Sequence, residues 1–372
     1  MRVRFLQTSD VHLRADRPER ARALELVFQE ADARSADAVL IAGDLFDRVS
    51  DAAAGRAFVR ELVERIAPRP VVFVPGNHDA TCYDDLADYG ANAIVLAEKP
   101  VARATVAGLE IVGIPYQHGR TGAECLTGVV CDPRHTVLLA HGTLMDGESG
   151  FSGDGEDGSY MPFSLAELFK RSCYAALGHM HSGQRLVHRE GERLAAYAGS
   201  PVATGRRELG PRGALLVDLE TGAGVVAHER LTLATPYYER VEVACLPGTE
   251  ETAIDDLARR AAEMRRPNAR VLARLSGVST APEPALRAMA EKALERAWHR
   301  QGLTTPEPDD PEMAAPILEL AVTSYATLAQ IPVVGEFVSK LEACAKADPS
   351  IDRRTLETAL HLGLNAFLES LP

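Results

Sequence analysis

Short apolar runs, rich in β-branched residues and bounded by turn signals, recur through the first half of the chain at 3–8, 38–42, 71–74, 109–114, 136–140 and 174–177. Runs of four to six such residues read as buried strands. Between the first three, segments 18–33 and 53–66 place apolar residues at helical spacing. This βαβαβ opening predicts a layered α/β fold with parallel strands. From 184 to 231 helical periodicity stops and short strands follow, among them 214–217 and 225–227. The expected architecture is two sheets packed together with helices outside.

The pattern changes near Thr235-Pro236. Residues 237–244 alternate like a strand, 250–264 read as a helix and 270–275 as another strand. Prolines at 282–284 and within 304–311 then punctuate a tail with amphipathic helices at 283–300, 334–345 and 353–371. The expected organisation is an α/β domain over 1–234, a small α+β cap over 235–278 and a helical C-terminal region over 279–372.

Polar motifs interrupt the apolar pattern at telling places. They are Asp10-Val11-His12, Gly43-Asp44-Leu45-Phe46-Asp47, Gly76-Asn77-His78-Asp79, His141-Gly142 and Gly178-His179-Met180-His181. Four of the five directly follow an apolar run, and parallel strands deliver such residues to one common edge. Asp-x-His and Gly-Asp alone are weak, since an Asp-x-His pair often caps a turn, and a lone histidine is often structural; Gly-His-x-His says more, and Gly-Asn-His-Asp after a strand more still. Their joint order points to a two-metal hydrolytic site. Asp10, Asp44 and Asn77 offer oxygen; His12, His141, His179 and His181 offer nitrogen. That mixture suits Mn²⁺, Fe²⁺ or Zn²⁺ better than Mg²⁺ or Ca²⁺.

The five motifs resemble the D-x-H, G-D-x-x-D, G-N-H-D/E, H and G-H-x-H signature of the calcineurin-like metallophosphoesterases. Within that family the segments TSDVHL, GDLFDR, PGNHD, LAHGTL, YAALGHMHSGQ and YAGSP are similar to the SbcD-type DNA double-strand-break repair nucleases. The resemblance implies the family's two-sheet sandwich flanked by helices. It implies one metal ion on Asp10, His12 and His181, a second on Asn77, His141 and His179, and Asp44 bridging both. His78 is then a catalytic residue beside the scissile phosphate rather than a ligand. Asp47 and Asp79 stand behind the ligands, Asp47 orienting His78. The implied activity is Mn²⁺-dependent exo- and endonucleolytic cleavage of DNA in repair, by two divalent ions. The implied partners are a second copy of the chain and an SMC-like coiled-coil ATPase of SbcC type.

Composition tempers this picture. Across 372 residues the formal charge is −13, which argues against a nucleic-acid surface. Two bound divalent cations would add +4 locally and offset part of it. Basic clusters that could track phosphates are Arg14, Arg17, Arg20 and Arg22, then Arg206 and Arg207, then Arg259, Arg260, Arg265 and Arg266. Each reads equally as a solvated face; Arg14, Arg206 and Arg207 are the candidate substrate contacts. The glycine-rich acidic stretch 145–160 reads as a solvated loop or as a lid beside His141.

In the tail, 333–337 and 356–371 could bind the ATPase or pack on their own domain. Six scattered cysteines without a Cys-x-x-Cys pair read as free thiols. No apolar run approaches the ~20 residues of a membrane span, and the first residues enter a strand without a signal-peptide core, so a cytoplasmic protein is expected.

Two other functions compete with the nuclease. A phosphodiesterase or phosphatase of nucleotides or other small phosphoesters needs no basic track. A non-catalytic scaffold would not need the full ligand set. The phosphoprotein phosphatases fit less well, because Asp79 and Val49 stand where that branch has Glu and Gly.

Overall fold

The strands form where the apolar runs lie, and the computed structural model describes residues 1–83, 88–145, 160–182, 187–300, 311–348 and 353–369. They fall into two units, Met1–Tyr237 and Tyr238–Pro372.

In the first unit β1 (Arg2–Thr8), α1 (Pro18–Ala33), β2 (Ala38–Ala42), α2 (Val49–Arg65), β3 (Val71–Val74) and β4 (Ala93–Val95) follow in order. Next come β5 (Ala102–Val106), β6 (Leu109–Ile114), α3 (Gly122–Cys125), β7 (Thr136–His141), α4 (Leu165–Arg171), β8 (Tyr174–Gly178), β9 (Val187–Glu190) and β10 (Arg193–Tyr197). The unit closes with β11 (Gly213–Glu220) and β12 (Gly224–Thr232). One sheet has the order β12-β11-β1-β2-β3-β4, the other β5-β6-β7-β8-β10-β9. Strands β1 to β4 run parallel, as do β6, β7, β8 and β10. Both parallel sets therefore end on a common edge, as the motif positions required.

Both faces of each central strand are buried, which explains why these strands read as unbroken apolar runs. Phe5, Leu40, Val72 and Val74 pack between the sheets with Ile111, Val137, Leu139 and Ala176. The outward residues Leu6, Val39, Ile41 and Phe73 are covered by Leu24, Val27, Phe28, Val59 and Leu62 of α1 and α2. Leu168 and Phe169 of α4 join the outer face of the second sheet. One polar tie crosses this core. The Gln7 amide donates to Leu177 O at 2.9 Å and Ala196 O at 3.1 Å, while the Tyr174 hydroxyl donates to Gln7 Oε1. Unmade, these buried groups would each cost about 1–3 kcal/mol, so the tie fixes how the sheets face one another.

Helix α2 starts at Val49 rather than the expected 53. Its first buried residue is Ala52, so the first turn carries no apolar period to read. All six cysteines are free, as expected. Among the described residues no helix is long and apolar enough to cross a membrane.

The second unit contains β13 (Tyr237–Cys245), α5 (Glu250–Glu263), β14 (Ala269–Ser279), α6 (Glu283–Arg300), α7 (Pro311–Ala314), β15 (Ile317–Ser324), α8 (Tyr325–Ala329), α9 (Pro332–Ala347) and α10 (Arg353–Glu369). Its sheet has the order β13-β14-β15. The region read as helical from 279 onward thus also supplies a strand, in parallel register with β14 from Leu272↔Ile317 to Ser279↔Ser324. Val334, Val338 and Leu364 bury against Val278 and Leu328, with Phe337 packed on them. Much of the apolar face considered for a partner therefore packs on its own unit, while Val333 and Leu362 are exposed. Most of the acidic stretch 145–160 lies outside the described residues.

Candidate metal centre

The site is assembled by loops at the strand ends. Asp10 N donates to Gly43 O at 3.1 Å, His12 N to Asp44 O at 3.0 Å, and Leu13 N to Leu45 O at 2.8 Å. These bonds zip the loop after β1 to the loop after β2. Gly142 N donates to Gly178 O at 3.1 Å and ties the ends of β7 and β8.

The backbone here is strained. Asp10, His12, Asp44 and His179 have φ of 54°, 49°, 51° and 105°. Such conformations cost about 1–3 kcal/mol each and persist where the surroundings enforce them. Two glycines let the loops close. A Cβ on Gly43 would lie 2.3 Å from His141 Nδ1, and one on Gly76 would lie 2.1 Å from Asp44 Oδ1.

The expected ligands converge. His12 Nε2 lies 3.0 Å from His181 Nε2, and His141 Nε2 lies 2.9 Å from Asn77 Oδ1. Asp44 Oδ2 lies 3.7 Å from His12 Nε2 and 3.3 Å from His141 Nε2, so its carboxylate stands between the two pairs. Asp10 groups with His12 and His181, and also with Asp44 and His141. His179 packs edge-on against His141 at 5.3 Å, and its backbone N–H donates to both Asp10 oxygens at 2.9 and 3.2 Å. Burial and the neighbouring His141 push the His179 imidazole down to about 3, which keeps it neutral.

Contacts at the far side of the rings show what the cluster is built to hold. His181 Nδ1 faces Glu208 Oε1 at 2.8 Å and His141 Nδ1 faces Ala42 O at 2.8 Å. Each of these two Nδ1 atoms meets an acceptor and so carries the proton. The buried His12 Nδ1 lies 3.3 Å from Asp47 Oδ1, in ion-pair range without a hydrogen bond. In the neutral His141 and His181 rings Nε2 then presents a lone pair inward. These lone pairs face Asn77 Oδ1 and His12 Nε2 at hydrogen-bond distance, contacts that protons or cations reconcile. Burial lowers the His141 and His181 pKa values, but Asp44 and Glu208 respectively outweigh it and raise both to about 9. Burial likewise opposes the charge on Asp44, yet His141, His12 and His78 hold its carboxyl well below the usual range. The residues fit divalent cations.

His78 stands apart. Its backbone N–H donates to Asp44 Oδ1 at 2.9 Å, its Nδ1 contacts Asp47 O at 3.1 Å, and its ring meets His12 edge-on at 4.7 Å. Asp47 thus meets the His78 ring through its main-chain carbonyl. The carboxylate supports His12 and gathers Arg14, Arg48 and Arg20 at 3.5, 3.5 and 3.6 Å. Asp79 is fully buried and accepts from Gly76 N at 2.7 Å, Leu45 N at 2.8 Å and the Tyr83 hydroxyl at 2.8 Å. It staples the loops after β2 and β3; burial and Asp44 push its pKa up to about 6.

The basic residues are less free than their sequence clusters suggest. Arg14 is engaged by Asp16 and Asp47, Arg22 by Glu25, and Arg259 and Arg260 by Asp256. Arg20 donates to His12 O at 2.6 Å, which makes it a support of the ligand loop. Arg206 and Arg207 are exposed on the loop before Glu208, outside the ligand cluster.

Glu208 was missed in sequence. It also accepts from Ser200 Oγ, Thr204 N and Thr204 Oγ1, and Arg212 lies 3.6 Å away. Burial raises its pKa, but the bonds and charge of His181 and Arg212 outweigh this and lower it to about 2. In the sequence it sits among exposed arginines, and nothing local shows that it turns inward.

The family model of the calcineurin-like phosphoesterases matches residues 3–197. The DNA double-strand break repair protein Mre11 of Saccharolobus solfataricus is 25% identical over 255 residues, 62% of this chain and 64% of that protein. The chain thus spans just under two thirds of that relative's length. Among solved structures, a dimetal phosphatase from Danio rerio is 9% identical, with 62% of this chain and 98% of that chain covered and a TM-score of 0.40. A purple acid phosphatase from yellow lupin is 16% identical, with 62% and 54% covered and a TM-score of 0.37. The family match runs through more than half of the chain and through every strand end that carries a ligand loop; the chain belongs to the calcineurin-like phosphoesterases, metal-dependent hydrolases of phosphoesters.

Proposed function

We propose that the chain is a Mn²⁺-dependent DNA nuclease of SbcD type. The inward-facing lone pairs around Asp44 carry the hydrolase part of this reading. The likeness to a double-strand-break repair protein supports DNA as substrate.

Asp10, His12 and His181 would hold one ion, Asn77, His141 and His179 the other, with Asp44 shared. When bound, the two ions neutralise a phosphate and lower the pKa of a water for attack on phosphorus. His78 is held by Asp47 O and Asp44 Oδ1 with its ring beside His12. From there it donates a proton to the oxygen leaving phosphorus. Glu208 and Ala42 O fix the tautomers of His181 and His141 before binding. Arg206 and Arg207 are the exposed candidates for backbone phosphates. In the same reading a second copy and an SMC-like ATPase are partners, with Val333 and Leu362 offering exposed apolar positions.

A second reading, a hydrolase of nucleotides or other small phosphoesters, is favoured by one observation. The net charge is −13, and Arg14, Arg20, Arg22, Arg259 and Arg260, half of the arginines considered for DNA, are already paired with carboxylates. The test is degradation of linear DNA by the Mn²⁺-loaded protein and by His78→Ala. Cleavage that drops at least about 100-fold in the variant supports the nuclease. Turnover of nucleotide diesters with intact DNA would transfer the assignment to the second reading.

A further inference from the structure

A cavity of 420 Å³ is lined by Tyr116, His118, Arg120, Thr121, Tyr160 and Met161. It adjoins the metal centre on the His179 side, because the Tyr160 ring lies 5.5 Å from the His179 ring. The Tyr116 ring follows at 6.2 Å from Tyr160. Both tyrosines are anchored to ligand loops through the main chain. Tyr116 N donates to Pro75 O at 3.0 Å, and Thr143 N donates to Tyr160 O at 2.9 Å. Tyr160 is partly exposed and Tyr116 only 7% exposed, so Tyr160 offers a face and Tyr116 backs it.

The mouth of this cavity is cationic. Arg120 donates to Gln117 Oε1 at 3.2 Å and Glu124 O at 3.3 Å, both neutral acceptors. Among the described residues its guanidinium has no carboxylate partner, unlike Arg14, Arg22, Arg259 and Arg260. Exposed His118, contacting the Tyr116 hydroxyl at 3.3 Å, lies beside it. An aromatic wall next to a cation that has no carboxylate in ion-pair contact among the described residues, Glu124 feeling its charge from farther off, suits a ligand that is both a flat π system and an anion.

We infer that this cavity is a nucleoside subsite of the metal centre. Tyr160, backed by Tyr116, stacks on the base of a phosphoester substrate, and Arg120 takes a neighbouring phosphate. The inference rests on the hydrolase reading above and narrows it to esters that contain a nucleotide. The shared chemistry admits two sources, a single-stranded nucleic acid or a free nucleotide.

The full chain without added metal is titrated into 2-aminopurine 2′-deoxyribonucleoside 5′-monophosphate, whose fluorescence falls on stacking. Saturable quenching is expected, with Kd raised about tenfold in Tyr160→Leu and in Arg120→Ala and retained in Tyr160→Phe. Tighter binding of a single-stranded hexanucleotide bearing 2-aminopurine supports the subsite with nucleic acid as the source. Equal binding supports it with free nucleotides as the source. No quenching, or the same Kd in all variants, overturns it. With Mn²⁺ bound, KM for thymidine 5′-p-nitrophenyl phosphate is compared with KM for methyl p-nitrophenyl phosphate, which has the same leaving group and no base. The preference for the thymidine ester is expected to shrink about tenfold in Tyr160→Leu, and an unchanged ratio overturns the subsite. Hydrolysis of neither ester would sink the hydrolase reading, and the quenching titration would still judge the subsite by itself.

Discussion

The two sheets of the first unit contribute to the metal centre in different ways. The first supplies all the oxygen donors, Asp10, Asp44 and Asn77, along with His12. The second supplies only imidazoles, His141, His179 and His181. Carboxylates need donors to hold them, and here backbone N–H groups serve: those of His78 and His179 meet Asp44 and Asp10. Imidazoles need acceptors behind them, and these are Ala42 O and Glu208. The difference teaches that a mixed-donor site requires two kinds of scaffold. The two scaffolds interlock, since Ala42 O of the first sheet backs His141 and the His179 N–H of the second holds Asp10.

The sharpest way to break this arrangement is Asp44→Ala, because the Asp44 carboxylate stands between the His12–His181 and His141–Asn77 pairs. Loss of activity on the order of 1,000-fold is expected, the scale of removing a charge-stabilising group from a buried site. Metal analysis of the variant should show both ions lost together; retention of one at full occupancy would count against the shared role.

Asp79→Ala tests the first sheet's scaffold alone. It leaves Gly76 N, Leu45 N and the Tyr83 hydroxyl without their buried acceptor. A destabilisation of about 3 kcal/mol is expected, measured as a lower midpoint in urea unfolding.

Glu208→Gln tests the second sheet's scaffold and should act on metal rather than on folding. A 10–100-fold weaker hold on one ion of the two is expected in a chelator competition. Equal weakening of both ions would show that the sheets' contributions are not separable.

The smallest effect is expected far from the ligand edge, where Asp218 of β11 sits opposite Arg4 of β1. The hydrogen bond from Arg4, against a smaller effect of burial and with Arg2 adding to it, lowers the Asp218 pKa. A depressed carboxyl stabilises the fold above its unfolded pKa of about 3.9 and loses that contribution as pH falls through its folded value. Arg2 and Arg4 are partly solvated, so Asp218→Asn should cost no more than about 1 kcal/mol at pH 7. The gap to the parent should narrow below about pH 4 in urea titrations, whereas a constant gap would assign the effect to packing.

The ligands were legible because each belongs to a local pattern, an apolar run followed within a few residues by Asp, Asn or His. Their supports were not. Glu208 reaches His181 across 27 residues, and no spacing rule marks an acidic side chain that turns inward among arginines. Asp47 was placed on His78, which its carbonyl meets, but sequence cannot separate that contact from the one its carboxylate makes near His12. Strand β15 was lost for a related reason. Its partner β14 lies before α6, so the pairing that makes it a strand is non-local.

That pairing has a consequence for synthesis on the ribosome. Every proposed ligand has emerged by His181, and the first unit's last strand ends at Thr232, so this unit can fold while the rest is still being made. The edge of β14 waits for β15, which ends at Ser324. At ordinary elongation rates the interval from 232 to 324 lasts roughly 5–20 s. From the completion of β14 at Ser279, over about the second half of that interval, its unpaired edge is open to any neighbouring nascent chain. The second unit, which carries none of the proposed ligands, is thus where a crowded polysome would most readily entangle this protein.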